Sequence, residues 1–284
     1  ADTALRYVKG HGRHNFKFYD VDLAKSSQDR LMLLDKIKKG IKNNEFELVY
    51  QPRVDIKLGK FLGAEALIRW SQKDGSLLTP KVFLQILEDS GLIVSVGWQV
   101  LDTALDRFNH LLKYNPELKM SYNVSAKQLE SPHFVENLLK LLKRKSFPAN
   151  RFELELTEQT LISDLQYSKN MLEQLKTHGI TIAIDDFGTG YSSLSYLKNF
   201  PVDVIKIDKS FVKDIAIQKD DYELINAIIS MGKNLKVQVV AEGIETLDQL
   251  NILSRLGCDE AQGYYFSKPA PFDEFKEVVA AEAS

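Results

Sequence analysis

One ten-residue stretch, TIAIDDFGTG at residues 181–190, constrains the fold more than any other. Its first four residues predict a strand that is buried on both faces, as in a parallel sheet. Because successive side chains of a strand point to opposite faces, Asp185 and Asp186 can converge on one site only where the strand ends and the backbone turns. Gly188 and Gly190 follow directly and allow such a turn. Two acids at the end of a buried strand are costly unless they are paired or bind metal, although a solvated turn remains the alternative.

Composition and charge are those of an ordinary globular protein. Of the 284 residues, 44% are hydrophobic and 27% are charged, and the formal net charge is −2. This charge gives no general attraction for DNA or RNA duplexes or for a membrane surface, so we expect neither partner for this fragment. The single cysteine, Cys258, excludes an internal disulfide, fits a reducing compartment and is expected to be buried. The longest apolar run, residues 91–98, is too short to span a bilayer.

Strand-like and helix-like segments alternate from residue 45 onward. The predicted strands cover residues 46–54, 62–70, 119–124, 151–156, 181–185, 204–207, 237–241 and 259–264. Eight strands with helices between them, over about 240 residues, favour a (β/α)8 barrel. A doubly wound open sheet is the alternative, which the lack of a Gly-x-Gly-x-x-Gly loop makes less attractive.

The connection between the first two predicted strands decides their direction. Residues 55–60 are too few for a crossover helix, so we expect a hairpin, with one strand antiparallel to the rest. Helix starts are marked by Thr79–Pro80 and Ser131–Pro132, where an N-cap residue precedes a first-turn proline. Thr246 and Gln249 have the spacing of a capping box.

Polar side chains gather near the carboxyl ends of the predicted strands, where barrel enzymes carry their chemistry. The set is Glu65, Asn123, Glu153, Glu155, Glu158, Asp185, Asp186, Lys206, Asp208, Glu242 and Gln262. Alternation places Glu153 and Glu155 on one face and does not choose between them. Any single acid of this kind is more often a helix N-cap or a partner of Arg or Lys than a metal ligand. Only the convergence of several such residues indicates a site.

The residue types in this set select a class of metal. It contains no His-x-x-His or Cys-x-x-Cys pair, and carboxylate and amide oxygens prefer Mg²⁺ or Mn²⁺ to Zn²⁺. Five of the acids would bring a formal charge of about −5 into one barrel mouth, which two divalent ions and Lys206 would balance. Paired ions about 4 Å apart are commonly used for in-line attack on a phosphodiester. The five acids are Glu65, Glu155, Asp185, Asp186 and Glu242.

These motifs together resemble the EAL family, which comprises bacterial phosphodiesterases that hydrolyse cyclic di-GMP to linear 5′-pGpG. The likeness covers about residues 31 to 280. It is carried by EAL at 65–67 with Arg69, NVS from Asn123, ELTE at 155–158, DDFGTG at 185–190, KID at 206–208, AEG around Glu242 and QG at 262–263. The resemblance implies a modified (β/α)8 barrel whose first strand is antiparallel, in agreement with the expected hairpin.

The resemblance also implies roles for individual residues. Two Mg²⁺ or Mn²⁺ ions would be held, and Ca²⁺ would occupy the sites without supporting turnover. The implied metal ligands are Glu65, Asn123, Glu155, Asp185, Asp186 and Glu242, with Asp185 bridging the ions and Glu242 acting through water. Lys206 would contact or deprotonate the attacking water, and Gln262 would orient water and the metal site. Gln51, Leu67 and Arg69 would contact the substrate, and Glu158 would anchor the loop that follows residues 181–185.

The first 22 residues resemble the last helix and strand of a GGDEF (diguanylate cyclase) domain, on the sequence ADTALRYVKGHGR. The expected division is therefore residues 1–22 as a GGDEF remnant and linker, and residues 23–284 as the EAL domain. The parent protein would carry upstream GGDEF and sensor domains and lie in the bacterial cytoplasm, either free or tethered to the inner membrane. A homodimer is expected. A non-catalytic cyclic di-GMP receptor and an interaction module remain alternatives to the enzyme.

Overall fold

A computed structural model of the chain describes residues 21–162, 164–189 and 200–282, with residues 21–28 as backbone only. The described chain divides into two compact units. The smaller unit contains the described residues up to 47 together with 69–96, and the larger unit contains 48–68 and the described residues from 97 onward. The predicted GGDEF remnant lies almost wholly outside the described residues, so that prediction stands untested.

Strands and helices alternate through most of the described chain. The strands are β1 (Phe46–Asp55), β2 (Phe61–Ser71), β3 (Leu77–Leu78), β4 (Lys119–Asn123), β5 (Phe152–Thr157), β6 (Thr181–Phe187), β7 (Val204–Ile207), β8 (Gln238–Ala241), β9 (Glu260–Ala261) and β10 (Ala270–Pro271). The α-helices are α1 (Val21–Lys42), α2 (Pro80–Asp89), α3 (Leu92–Leu111), α4 (Ala126–Leu129), α5 (Phe134–Arg144), α6 (Glu158–Ile162), α7 (Leu165–Thr177), α8 (Lys209–Lys213), α9 (Lys219–Leu235), α10 (Leu247–Leu256) and α11 (Phe272–Glu282).

Eight of these strands close into a barrel. Their order around the ring is β1-β9-β8-β7-β6-β5-β4-β2, and β2 pairs with β1 to close it. Each pair of neighbours in the ring from β2 through β4, β5, β6, β7 and β8 to β9 is parallel, whereas β1 runs antiparallel to β9. The predicted barrel with an antiparallel first strand is therefore confirmed, and the open-sheet alternative is wrong. The short strands β3 and β10, which the sequence did not predict, add antiparallel pairs to β2 and β1.

The parallel strands are buried on both faces, as their continuous apolar sequences predict. All residues of β7 are buried, and Ala183, Val204 and Val240 form one apolar cluster from three neighbouring strands. Lys206 belongs to this same buried strand and has no exposed surface. A buried ammonium group is tolerated only with charged partners, so its position demands acids close by.

Three aromatic side chains form the centre of the smaller unit. The ring of Phe46 stacks on that of Trp70 at 5.5 Å and meets that of Phe83 edge-on at 5.4 Å. The Trp70 indole N–H donates to Glu45 Oε2 over 3.2 Å, which satisfies its one polar atom. Helix α2 begins at Pro80 after Thr79, as predicted, although the Thr79 side chain makes no capping hydrogen bond.

In the larger unit, one predicted helix start is confirmed, another is wrong, and one predicted strand is too long. The capping box of Thr246 and Gln249 is confirmed at the start of α10. The start predicted at Ser131–Pro132 is wrong, because the Ser131 hydroxyl donates back to Gln128 O and α5 begins only after His133. The last predicted strand, 259–264, is shorter than expected: pairing ends at Ala261, and the chain then turns. Within the described ranges, no helix is both long enough and apolar enough to cross a membrane.

Candidate active site

The barrel brings most of the predicted polar residues to one end of its interior. Most of these side chains sit at or near the carboxyl end of a parallel strand, whereas Glu65 lies in the middle of β2 and Gln51 comes from the antiparallel β1. The residues brought together are Gln51, Glu65, Asn123, Glu155, Asp185, Lys206, Glu242 and Gln262. We call this group the rim cluster.

Lys206 is the centre of the rim cluster. Its Nζ lies 2.7 Å from Glu155 Oε2 and 2.7 Å from Glu242 Oε1. The same atom lies 3.3 Å from Asp185 Oδ1 and 3.4 Å from Glu65 Oε2. Four carboxylates from four strands thus share one ammonium group, which leaves an excess of negative charge for other cations to neutralise.

Two amide side chains fix the orientation of Glu65. Asn123 Nδ2 donates to Glu65 Oε1 and Gln262 Nε2 donates to Glu65 Oε2, each over 2.6 Å. Gln262 Nε2 also lies 3.1 Å from Gln51 Oε1, and Gln51 Nε2 donates to the backbone oxygen of Ser267 over 3.1 Å. The sequence reasoning missed Ser267, because a backbone acceptor in a turn carries no residue-type signal.

Burial and crowding shift the protonation of this group. Burial, and then the charge of Glu65, raise the pKa of Glu155 well above its usual value. Burial also raises the pKa of Glu242, to about 8. Burial alone would raise the pKa of Glu65, but Lys206 and the two amide donors outweigh it and lower that pKa. Burial alone would lower the pKa of Lys206, but its acidic partners raise it, so the lysine stays protonated at neutral pH.

Asp185 and Asp186 separate where the register of β6 shifts. An irregularity in the pairing with β7 falls between Ile184 and Phe187, and Asp186 has a left-handed φ of +53°. Asp185 therefore faces Lys206 while Asp186 lies in the turn, which Gly188 continues at φ +97°. Asp186 is exposed as a whole residue, yet desolvation of its carboxyl group, followed by the charges of Asp185 and Asp208, raises its pKa to about 6.

Two glycines allow the rim segments to approach closely. Gly243, which follows Glu242, has φ +70°, and a Cβ there would lie 2.4 Å from Lys209 Cβ. A Cβ on Gly263, which follows Gln262, would lie 2.1 Å from Ile244 O. Larger residues would displace the backbone on which Glu242 and Gln262 are carried.

The rim cluster has the ligands that a hard divalent cation requires. Oxygens of Glu65, Glu155 and Asp185 all lie within 4.8 Å of one another. Glu155 Oε1 and Gln262 Oε1 are buried and accept no hydrogen bond, and Asp185 Oδ1, also buried, lies 3.3 Å from Lys206 Nζ without hydrogen-bond geometry. Buried acceptors without donors are unfavourable, and a cation among them removes that cost. The donor set, all oxygen, fits Mg²⁺, Mn²⁺ or Ca²⁺.

The structure separates Glu153 from Glu155, which alternation left equivalent. Glu155 contacts Lys206 in the rim cluster, whereas Glu153 pairs with the buried guanidinium of Arg53. Leu67 and Arg69 are half-buried along β2, and Glu158 begins α6. The predicted roles of Leu67, Arg69 and Glu158 stay predictions. The loop that Glu158 is predicted to anchor includes residues 190–199, which lie outside the described ranges.

A family comparison decides what this arrangement belongs to. The model of the EAL domain matches residues 34–269. The chain belongs to the EAL family. Over 281 residues it is 37% identical to the bifunctional diguanylate cyclase/cyclic di-GMP phosphodiesterase MucR of Pseudomonas aeruginosa, covering 99% of this chain and 41% of MucR. It is 34% identical over 280 residues to the cyclic di-GMP phosphodiesterase PdeR of Escherichia coli, covering 97% of this chain and 42% of PdeR.

A solved structure of an EAL relative agrees with the fold. The PaMucR phosphodiesterase in complex with c-di-GMP superposes with a TM-score of 0.83 at 38% identity, covering 86% of this chain and 99% of that one. This EAL domain spans less than half the length of MucR and of PdeR.

Proposed function

We propose that this EAL domain hydrolyses cyclic di-GMP to linear 5′-pGpG. The observation that carries the proposal is the complete rim cluster, in which four carboxylates surround the buried Lys206. Relatives with the same family domain are named cyclic di-GMP phosphodiesterases, and one was solved with the dinucleotide bound. Water adds to one bridging phosphorus, the P–O3′ bond breaks, and the released O3′ takes a proton.

We propose that two Mg²⁺ or Mn²⁺ ions are held in the rim cluster. When bound, they supply an activated water and neutralise charge on the phosphate. The buried oxygens without hydrogen-bond donors support ligation by Glu155 and Asp185, and Asp185, as the resemblance implies, would be shared by both ions. The full proposed ligand set is Glu65, Asn123, Glu155, Asp185, Asp186 and, through water, Glu242.

The remaining residues of the site act by position and charge. Lys206 holds its proton strongly, so in this structure it acts as a fixed positive charge that orients the attacking water and the acids around it. Gln262 orients Glu65 and, through its Oε1, which accepts no hydrogen bond from the described residues, a water. Gln51, Leu67 and Arg69 are proposed to contact the substrate, with Arg69 reaching a phosphate, and Glu158 to anchor the loop after β6.

The direct test is incubation of the purified domain with cyclic di-GMP and saturating Mn²⁺ or Mg²⁺, with chromatography of the products. We expect linear pGpG, and we expect Ca²⁺ to bind without supporting turnover. Tight nucleotide binding without any pGpG, at every metal concentration, would favour the non-catalytic receptor and reject the enzyme.

The affinity for Mn²⁺ should increase with pH. Carboxyl groups whose pKa is raised hold protons near neutrality, and a metal ion must displace them. The shifted groups include Asp186, with a pKa of about 6, and Glu242, with a pKa of about 8. Below each pKa, affinity should fall by about tenfold per pH unit for each displaced proton.

Calorimetry of Mn²⁺ binding between pH 5.5 and 8.5, in buffers of different ionisation enthalpy, measures both the affinity and the number of protons released. A pH-independent affinity with no proton release would show that these acids are not the ligands.

We also propose a homodimer, upstream GGDEF and sensor domains, and a location in the bacterial cytoplasm. These proposals rest on the resemblance described above and on the greater length of the relatives. Light scattering over a range of concentrations tests the dimer, and a single monomeric species at the highest concentration would contradict it.

A further inference from the structure

A second polar layer lies inside the barrel below the rim cluster. It consists of Arg53, Ser121, Glu153 and Glu260, all of them buried. Each member stands two residues along its strand from a member of the rim cluster, so the two layers share one inward face. The pairs are Arg53 with Gln51, Ser121 with Asn123, Glu153 with Glu155, and Glu260 with Gln262. We call the four residues the floor cluster.

Arg53 connects the other three members of the floor cluster. Both of its terminal nitrogens contact the Glu153 carboxylate, one of them over 3.0 Å, and Nη1 donates to Ser121 Oγ over 3.2 Å. Its Nε forms an ion pair with Glu260 Oε2 at 2.6 Å, without hydrogen-bond geometry. Ser121 Oγ in turn donates to Glu153 Oε1 over 2.9 Å. One planar guanidinium group thus holds three strands at once, a geometry that a single ammonium group does not reproduce.

These contacts tie strands that the sheet itself does not connect. Around the ring β1 neighbours β9 and β2, so the contacts of Arg53 with Ser121 and Glu153 cross the barrel interior to β4 and β5. On β4 and β5 the rung Ser121–Glu153 lies directly below the rung Asn123–Glu155. A shift of the lower rung therefore moves the upper one.

The contacts of Arg53 also hold the shortest strand of the barrel, β9. Strand β9 contains only Glu260 and Ala261, and Gln262 follows it at once. The contact between Arg53 Nε and Glu260 fixes the residue two positions before Gln262. Because Gln262 in turn orients Glu65, a displacement of β9 would also displace Glu65 in the rim cluster.

We propose that Arg53 is a positioning residue for the metal site. Through Glu153 and Glu260 it sets the positions of Glu155, which contacts Lys206, and of Gln262, which contacts Glu65. This inference rests on the metal site proposed above. Removal of a residue that orients a metal ligand typically lowers metal affinity or activity by 10- to 100-fold.

The test is the Arg53→Lys variant, which keeps the buried charge and removes the fork. We expect it to fold, to bind Mn²⁺ about 10-fold more weakly and to have a kcat about 10-fold lower, with an unchanged KM for cyclic di-GMP. Mn²⁺ binding is measured from the electron paramagnetic resonance signal of the free ion, and folding from circular dichroism. The control is Arg151→Lys, because Arg151 pairs with Glu117 just before the same β5 strand but away from both clusters.

A second variant separates positioning from stability. Replacing Arg53, Glu153 and Glu260 together by Met, Leu and Leu removes every charge of the floor cluster, a kind of exchange that is often neutral or stabilising. We expect this variant to melt near the wild-type temperature and still to bind Mn²⁺ about 10-fold more weakly.

Wild-type Mn²⁺ affinity in either variant would overturn the proposal, and failure of both to fold would make the floor cluster a folding element instead. If the wild-type protein itself bound no Mn²⁺, the proposed metal site would fall, which is a different outcome.

Discussion

Replacing Lys206 by Met should lower kcat by about 10³-fold, at the upper end of the 10²- to 10³-fold loss typical when one preorganised charge-stabilising donor is removed. This corresponds to about 4 kcal/mol of transition-state stabilisation. Metal affinity should change in the opposite direction. Lys206 Nζ lies within 3.4 Å of four carboxylates and so competes with cations for the same charge. Without it, Mn²⁺ should bind at least as tightly as in the wild-type protein.

Single-turnover kinetics at saturating Mn²⁺, combined with Mn²⁺ titration, measure both effects. The control is Lys140→Met, because Lys140 pairs with Glu136 on the exposed face of α5 and its loss should leave both quantities unchanged. An unchanged kcat would remove Lys206 from the mechanism. A parallel loss of Mn²⁺ affinity would show that the variant has lost the arrangement of its acids.

Replacing Asp185 by Asn should abolish metal binding and turnover together. Asp185 contributes a buried oxygen that accepts no hydrogen bond and belongs to the triad of close carboxylates, and it is the proposed link between the two ions. Its loss should exceed the roughly 100-fold cost of removing a partner that only orients a ligand. Asn keeps the size of the side chain, so the fold should survive.

Calorimetry with Mn²⁺ and product chromatography decide this prediction, with Asp106→Asn as the control because Asp106 pairs with Lys145 on the surface. Full Mn²⁺ stoichiometry with wild-type affinity in Asp185→Asn would contradict its assignment as a ligand. Retained metal binding with a loss of kcat alone would restrict Asp185 to the chemical step.

Local signals predicted most of the fold correctly. The short hairpin connection at residues 55–60 was enough to make the first strand antiparallel, because a parallel crossover requires more chain. The buried strands were recognised from continuous apolar sequence. The errors arose where a long-range or competing contact decided the outcome. Ser131 binds the preceding helix, and pairing of β9 ends after two residues.

The rim cluster was predictable as a set, because parallel strands deliver their carboxyl ends to the same edge of a sheet. The choice between Glu153 and Glu155 was not. Both point inward from β5, and only the position of Arg53, on a strand across the barrel, assigns Glu153 to the lower layer. That information is a distance between residues one hundred positions apart, which no local pattern contains.

The central ammonium group has a consequence for the order of events in the cell. In small zinc domains the metal drives folding, so that the ion-free chain is unfolded. Here Lys206 supplies a positive charge from the polypeptide itself. The raised pKa values of Glu155 and Glu242 favour their protonated forms until an ion displaces the protons. If the rim cluster holds ions as proposed, the domain can fold first and bind them afterwards, so that a shortage of divalent ions would inactivate the protein reversibly without unfolding it.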